Sequence, residues 1–355
     1  MKKIILLLIL LIPFNVNAFN TTAKGAILMD MDSGRVIYAK NPHYTQSVAS
    51  ISKIMTAIIA IENADIKKKV IIGNEVLKSY GSGIYIKPKE KIKLEDLIYG
   101  LMLRSGNDAA IAIAYSVSKN KEEFVKLMNE KAKKLNMTDT TFNNPSGLDE
   151  KDEKGNFSSA YDMALLMSYA MKNKEFRKIT GTQKHIVKTN KNTYVWHNKN
   201  KLLKTYEYTT GGKTGFTKKA KRTLVTSAKH NNLNLTIVTI NDGNDWLDHK
   251  NLYKEAFKEY KSYILLDKGT ITILGEDYYN DDILFIKKDL KYSLLEIEKS
   301  SITLKYSLKK LRKYKNNDKV GKASLYIGEK EVNKVPIYIK KGKKHKINFL
   351  KINDK

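Results

Sequence analysis

The sequence predicts an α/β chain: an antiparallel sheet covered by helices, followed by a small all-β domain. Three observations predict it. Strand-length apolar runs stand near the start (23–30) and again at 222–228 and 233–240, with helical periodicity between them. That order brings terminal strands into one sheet with helices packed against it. Residues 50–64 form a nearly all-apolar helix (Ile54, Met55, Ala57, Ile58, Ile59, Ala60, Ile61), and a helix apolar on every side is buried in a core of some size. Beyond about Tyr263 the pattern turns to period two, the mark of half-buried strands. A length of 355 residues also exceeds what one ordinary core fills, which favours two domains.

Taken in order, the chain opens on Lys2-Lys3, an apolar run from Ile4 to Phe14, and Val16-Asn17-Ala18. A basic start, a short apolar stretch and small residues describe a secretory leader over 1–18, with cleavage after Ala18 and export. Such a run is short for a bilayer span. Residues 23–30 and 35–40 flank Met31-Asp32-Ser33-Gly34 and read as a β-hairpin. Helical periodicity marks 94–103, 108–117, 122–135 and 160–171; strands follow at 222–228 and 233–240, then a helix at 246–260. In the last ninety residues, Ile302, Leu304, Tyr306 and Leu308 alternate with polar residues, as do Leu325 and Ile327, then Val335, Ile337 and Ile339, with Gly328-Glu329 as a turn. The expected divisions are a leader at 1–18, a catalytic domain at 22–262 and a β-rich domain with a basic tail at 263–355.

Composition excludes several chemistries. With no cysteine there is no disulfide, thiolate catalysis or cysteine-ligated metal. Six scattered histidines give no metal-ligand spacing, so neither metal nor cofactor is expected. The formal charge of +28 falls to +26 when Lys2 and Lys3 leave with the leader (28 − 2). In an exported protein that charge points to anionic wall polymers or a membrane surface as further partners, or to plain solubility, rather than to nucleic acid.

Three short motifs carry the chemistry. Ser50-Ile51-Ser52-Lys53 opens the buried helix. A serine hydroxyl is a weak nucleophile until a base takes its proton. Residues three apart share a helix face, so the Lys53 amine can reach Ser50, and burial would lower its pKa towards a working base. The same spacing recurs at Ser116/Lys119, Ser118/Lys121 and Ser307/Lys310, where a helix-surface pair suffices; only at Ser50 does the lysine enter an apolar helix, where an idle charge is costly. Ser105-Gly106-Asn107 lies between two helical stretches. It reads either as a turn with a helix cap or as a proton-relaying serine beside an amide that grips substrate. Gly211-Gly212-Lys213-Thr214-Gly215-Phe216-Thr217 reads either as a glycine hairpin with an exposed lysine or as a carboxylate-holding segment whose backbone approaches ligand closely. It lacks the spacing of a phosphate loop.

Together, in the order Ser-x-x-Lys, Ser-x-Asn, Lys-Thr-Gly, the motifs form the signature of penicillin-binding proteins and β-lactamases. The sequence resembles the D-alanyl-D-alanine carboxypeptidases of the low-molecular-mass penicillin-binding protein family. The resemblance runs from about Ala23 to Phe257 and also includes Ala26-Ile27-Leu28-Met29-Asp30 and Asn144-Pro145-Ser146-Gly147-Leu148; it continues more faintly into the β domain at Lys319-Val320-Gly321-Lys322. It implies a β-lactamase/transpeptidase-like catalytic domain. It implies that Ser50 attacks the bond between two D-alanines of a peptidoglycan stem peptide, with Lys53 as base and Ser105 passing a proton to the leaving amine. Asn107 would orient the substrate, Lys213 and Thr214 would hold its carboxylate, and the N–H groups of Ser50 and Phe216, beside Gly215, would form the oxyanion hole. β-Lactam antibiotics would trap Ser50.

The sequence also departs from the family pattern. Arg104 stands where proline is expected, Ser146 replaces a histidine, and Asp245-Trp246-Leu247-Asp248-His249 occupies a stretch where many members carry an arginine. The tail after Lys340 is basic (Lys341, Lys343, Lys344, Lys346) and lacks a long amphipathic anchor. The alternatives are an endopeptidase acting on cross-links, a β-lactamase, and a non-catalytic wall- or β-lactam-binding module. Both Leu-Asn pairs, Leu135-Asn136 and Leu233-Asn234, lack the glutamate that a β-lactamase uses for deacylation.

Overall fold

The structure, a computed structural model, describes residues 19–118, 120–149 and 155–342. The expected leader and the basic tail beyond Gly342 lie outside these residues. Strands β1 (Gly25–Asp30) and β2 (Val36–Lys40) form the expected hairpin. A tight turn at Ala49–Ser52 leads into helix α1 (Lys53–Asn63), then come α2 (Leu94–Tyr99), α3 (Asn107–Val117), α4 (Lys121–Lys134), α5 (Ala160–Ala170) and α6 (Lys174–Gly181). Strands β3 (Thr209–Thr217), β4 (Lys221–His230) and β5 (Leu233–Ile240) precede helix α7 (Asp245–Glu259). The remainder carries β6 (Tyr260–Leu266), β7 (Asp282–Ile286), β8 (Leu290–Leu295), β9 (Ile302–Leu308), β10 (Lys319–Ile327) and β11 (Lys330–Lys341).

Strands β2-β1-β5-β4-β3 make one antiparallel sheet, so the first strands of the chain pair with strands two hundred residues later. Helices α5 and α6 pack on one face of this sheet, and α1 lies among the helices with every residue from Lys53 to Ala60 buried, as its apolar surface requires. Its Ile54, Met55 and Ile58 join Leu97, Ile98, Ile113 and Leu166 in the main core. Helix α7 covers the opposite face, where Leu252 and Tyr253 meet Leu28, Leu235 and Ile237. Local signals set the helix ends: Asn120 caps α4, Ser159 caps α5 and Asn173 caps α6 through side-chain oxygens.

The β-rich part has its own core, built on Leu284, Ile286, Leu325, Val335, Ile337 and Ile339 of a second antiparallel sheet. The expected division at 262/263 falls inside β6, which pairs with β8. Arg35, at the turn before β2, joins the two cores. Its guanidinium makes two 2.7 Å bonds to the Glu298 carboxylate and one to the Ser293 carbonyl, and it lies over the rings of Tyr260 and Tyr292.

Four features differ from the sequence reading. Helix α6 and the hairpin of Lys184–Lys188 with Thr193–His197 went unread because short amphipathic pieces carry little periodic signal. The stretch 94–103 is not one regular helix, since α2 widens into a π-type turn at Gly100–Arg104 that stops at Ser105. The segment 211–217 belongs to strand β3 itself, paired residue for residue with β4. Its Lys213 is buried at 1% exposure, which removes the alternative of an exposed hairpin lysine.

Candidate active site

Ser50 lies in the tight turn just ahead of α1. Ala49 holds a left-handed backbone conformation (φ 50°), one that L residues adopt only under restraint. The restraint is visible. The Val48 carbonyl accepts the Thr223 hydroxyl at 3.0 Å, and the Ala49 carbonyl accepts the Ser52 hydroxyl at 2.7 Å. Gly147 closes over the same carbonyl so tightly that a Cβ there would stand 2.0 Å from it, so only glycine fits. Ser50 remains partly exposed, whereas Lys53 one turn later is fully buried.

The Lys53 amine is held by three oxygens. Ser50 Oγ lies 3.0 Å away, Asn107 Oδ1 accepts at 2.7 Å, and the Ser146 carbonyl also accepts. Asn107 begins α3, and its Nδ2 donates to the Tyr80 carbonyl at 2.6 Å, leaving a second N–H on the same nitrogen. Ser105, left-handed at φ 65°, accepts a hydrogen bond at its Oγ from the Lys213 amine, 3.0 Å away on β3. Lys213 also donates to the Thr214 carbonyl at 2.8 Å. Two serine–lysine pairs, Ser50/Lys53 and Ser105/Lys213, therefore face one cleft beside the free edge of the sheet. Gly215 brings that edge close: a Cβ there would fall 2.3 Å from Thr223 Oγ1 and 3.1 Å from the Ser50 nitrogen. Thr214 is half-buried and the Phe216 side chain is exposed next to it.

Burial lowers the Lys53 pKa to about 7, with the positive charge of Lys199 adding to the fall and Asp108 opposing it. Burial also pushes Lys213 well below the ordinary lysine value, aided by Lys53 and Lys199. The nearby carboxylate, Asp108, is bound elsewhere. It receives the N–H groups of Ile84 (2.9 Å), Tyr85 (2.6 Å) and Ile86 (3.3 Å), pinning the 84–86 loop beside the site. A buried amine with no carboxylate in contact favours its neutral form, which is the form that accepts a proton.

The structure thus gathers Ser50, Lys53, Ser105, Asn107, Lys213, Thr214, Gly215 and Phe216 around one cleft, from three segments far apart in sequence. Sequence reasoning passed over Lys199, which reaches Ser82 Oγ at 3.3 Å and acts on both buried amines; nothing in Asn198-Lys199-Asn200 marks it as a site residue. It also passed over Asp108, although that residue follows the Ser-Gly-Asn motif directly. Arg104, in the proline position, closes the π-type turn, and its charge lowers the Lys199 pKa, though burial contributes more. In the stretch 245–249, Asp245 binds the Arg222 guanidinium of β4 through bonds of 2.6, 2.8 and 3.1 Å, and His249 is buried between the Thr226 and Thr239 hydroxyls. Burial lowers that imidazole to about 3, so His249 is a neutral packing residue.

A serine beside a buried, neutral-leaning lysine, with a second serine–lysine pair across the cleft of an antiparallel sheet, is the layout of lysine-assisted serine acyl-transfer enzymes. Within that class the chain belongs to the D-alanyl-D-alanine carboxypeptidase family, whose model matches residues 13–244. Residues 260–344 match the C-terminal domain of penicillin-binding protein 5. The D-alanyl-D-alanine carboxypeptidase DacF of Bacillus subtilis is 39% identical over 218 residues, 59% of this chain and 55% of that protein. The D-alanyl-D-alanine carboxypeptidase DacA of Haemophilus influenzae is 28% identical over 289 residues, 76% of this chain and 70% of the relative. Among solved structures, penicillin-binding protein 5 of Haemophilus influenzae superposes with a TM-score of 0.77 at 25% identity, covering 91% of this chain and 98% of that one. The match to the Bacillus subtilis relative thus takes in little over half of that protein's length.

Proposed function

We propose that this chain is a serine-type D-Ala-D-Ala carboxypeptidase that removes the terminal D-alanine from peptidoglycan stem peptides. The observation that carries the reading is the fully buried Lys53 amine 3.0 Å from Ser50 Oγ, with its pKa lowered to about 7. The neutral amine takes the Ser50 hydroxyl proton as the oxygen attacks the carbonyl between the two D-alanines. The negative charge that develops on the carbonyl oxygen is held by the Ser50 and Phe216 N–H groups; such donors contribute roughly 3 kcal/mol each in acyl-transfer sites. As the tetrahedral intermediate collapses, the C–N bond breaks; Ser105, beside Lys213, passes its proton to the departing amine and regains one from the protonated Lys53, which leaves Lys53 neutral again. Lys213 and Thr214 hold the carboxylate of the leaving D-alanine, and the free Asn107 N–H orients the acyl amide. Water then attacks the acyl-Ser50 ester as Lys53 takes its proton; the bond from the carbonyl carbon to Ser50 Oγ breaks, Lys53 returns the proton to Oγ, and the shortened peptide leaves. β-Lactams, whose strained amide mimics the dipeptide, acylate the same serine.

The leader-like residues 1–18 support export, and the +26 charge that remains without Lys2 and Lys3 supports retention by anionic wall polymers or a membrane surface. No helix among the described residues is long and apolar enough to cross a membrane. The β-lactamase alternative is disfavoured because no carboxylate among the described residues bonds to Ser50, Lys53 or Ser105.

The test is D-alanine release from diacetyl-Lys-D-Ala-D-Ala by the native chain and by Ser50→Ala. We expect release by the native chain alone, with penicillin labelling lost in the variant; equal release by both would remove Ser50 as the nucleophile.

A further inference from the structure

Three aspartates crowd one corner of the catalytic sheet, with a single guanidinium to answer them. Asp242 follows β5, and Asp245 and Asp248 stand in the first turn of α7, where a helix N-terminus attracts negative charge. Arg222 is committed to Asp245 through its three bonds. Asp242 and Asp248 are left at 1% and 7% exposure, in no ion pair among the described residues.

The strap of residues 19–24 that leads into β1 closes over this pair. The Thr22 N–H donates to Asp248 Oδ2 at 2.7 Å, and Thr22 Oγ1 lies 2.5 Å from Asp242 Oδ1 and 3.1 Å from Asp248 Oδ2. A hydroxyl carries one proton, so it serves only one of the two carboxyls. Asn244 gives a further N–H to Asp242 Oδ1 at 3.0 Å. Asp242 Oδ2 is buried without any donor, although the Asp248 carboxyl lies within hydrogen-bonding reach of Asp242. Two buried carboxyls in contact, one with an oxygen that no donor serves, are a proton short.

No neighbour supplies a positive charge in its place. Lys40 donates its amine to the Thr21 carbonyl at 2.8 Å, Lys24 is exposed, and His249 stays neutral between its threonine hydroxyls. Burial raises the Asp248 carboxyl above the ordinary aspartate value, aided by the Asp242 charge and opposed by the Thr22 bonds.

We propose that Asp242 and Asp248 share one proton, and that this proton latches the strap onto the catalytic sheet and releases it as pH rises. With the proton in place one carboxyl donates to the other, and Thr22 closes over both. Without it two buried carboxylates repel, and the strap yields first because its other ties are few. These are the Lys24 N–H to the Ile240 and Asn241 carbonyls, the Lys40 bond and the Phe19 ring against Tyr38. The corner adjoins the functional end of the sheet: the Asp242 N–H donates to the Arg222 carbonyl at 3.1 Å, and Arg222 pairs with Phe216 of β3. The latch does not depend on the carboxypeptidase reading.

Asp248→Asn reproduces the protonated carboxyl, since its amide oxygen accepts the Thr22 N–H and its Nδ2 donates to Asp242 at every pH. Asp242→Asn makes the same change from the other side. Hydrogen exchange of the strap amides, measured by mass spectrometry on the full chain from pH 5 to 9, compares native protein with each variant at the same pH, so intrinsic exchange cancels. The closed pair holds more protons than the open one, so the native latch weakens as pH rises above the ordinary aspartate value of about 4. Native and variant straps should exchange alike at pH 5, and the native strap about tenfold faster or more by pH 9, the factor that one unit of pKa supplies. A native-to-variant ratio constant across pH overturns the proposal. So does faster exchange in both variants at every pH, which would mean that full charges hold the strap. Loss of the native pH dependence in added calcium chloride also overturns it, because a metal cation rather than a proton would then bridge the pair.

Discussion

Lys53 combines two demands that conflict in most proteins, since its amine must be buried beside apolar side chains yet remain chemically usable. Burial resolves the conflict by lowering its pKa to about 7, so rate and stability both acquire a pH dependence of defined sign. Only the neutral amine accepts the Ser50 proton. Penicillin acylation should therefore rise about tenfold per pH unit below 7 and level off above it, and a rate independent of pH between 5.5 and 8 would exclude Lys53 as the base. Replacing Lys53 with Met should lower acylation by about a hundredfold or more. The folded pKa lies below the unfolded value, so the unfolded chain holds more protons between pH 7 and about 10, and native stability gains as pH rises through that window. Lys53→Met removes this term. The stability difference between native and variant should shift in favour of the native protein by about 1.4 kcal/mol per pH unit from pH 7 to 9. Denaturant unfolding at both values measures it, and a constant difference would mean that Lys53 is not neutralised on folding.

Strand β3 is the element that converts three sequence motifs into one site. Being at the sheet edge, it has a strand partner, β4, on one side only; Thr180 and Asn200 bond its backbone at Gly212 and Gly211, ahead of the Lys-Thr-Gly segment. Gly215 sets the distance between that edge and the Ser50 turn. Gly215→Ala should push β3 outward, because the new methyl meets the Thr223 hydroxyl at 2.3 Å and the Ser50 nitrogen at 3.1 Å. A displacement near 1 Å costs about a hundredfold in rate, whereas the sheet should lose only about 1–3 kcal/mol. Penicillin acylation rate and thermal unfolding read the two effects separately, and an unchanged acylation rate in a folded variant would show that the edge does not position the reaction. The same element shows how far the sequence could be read. Lys-Thr-Gly was legible as a motif, but nothing in 211–217 told a glycine hairpin from a buried strand. The distinction depends on β4 and on the Ser50 turn, which lie nearby in space and on no local pattern.

At the scale of the whole molecule, Arg35 is a polar tie between the two cores. It sits on the first hairpin of the catalytic sheet and grips Glu298, with Tyr260 and Tyr292 under its guanidinium; the Arg35 and Glu298 side chains are 13% and 18% exposed. Arg35→Ala should cost about 2 kcal/mol, less than for a fully buried pair, and should loosen the β-rich part from the rest. Small-angle scattering should show a larger radius of gyration, while D-alanine release from the small tripeptide stays within about twofold of native. An unchanged radius with an unchanged melting temperature would show that β6–β8 pairing alone holds the two parts together. The β-rich part was legible because its period-two alternation is a local signal.

The sequence by itself determined the fold class, the principal strands and helices of the catalytic sheet, and the three short motifs from which the proposed site is drawn. Hydrophobic period and short motifs are encoded within a few residues of one another, so they can be read without the rest of the chain. The tertiary structure decided which lysines are buried, that Lys199 acts on both and Asp108 on Lys53, that Arg35 joins the two cores, and that an apolar cavity opens beside Asn107. Those properties depend on desolvation and on charges meeting across more than fifty residues of sequence, and only packing establishes either.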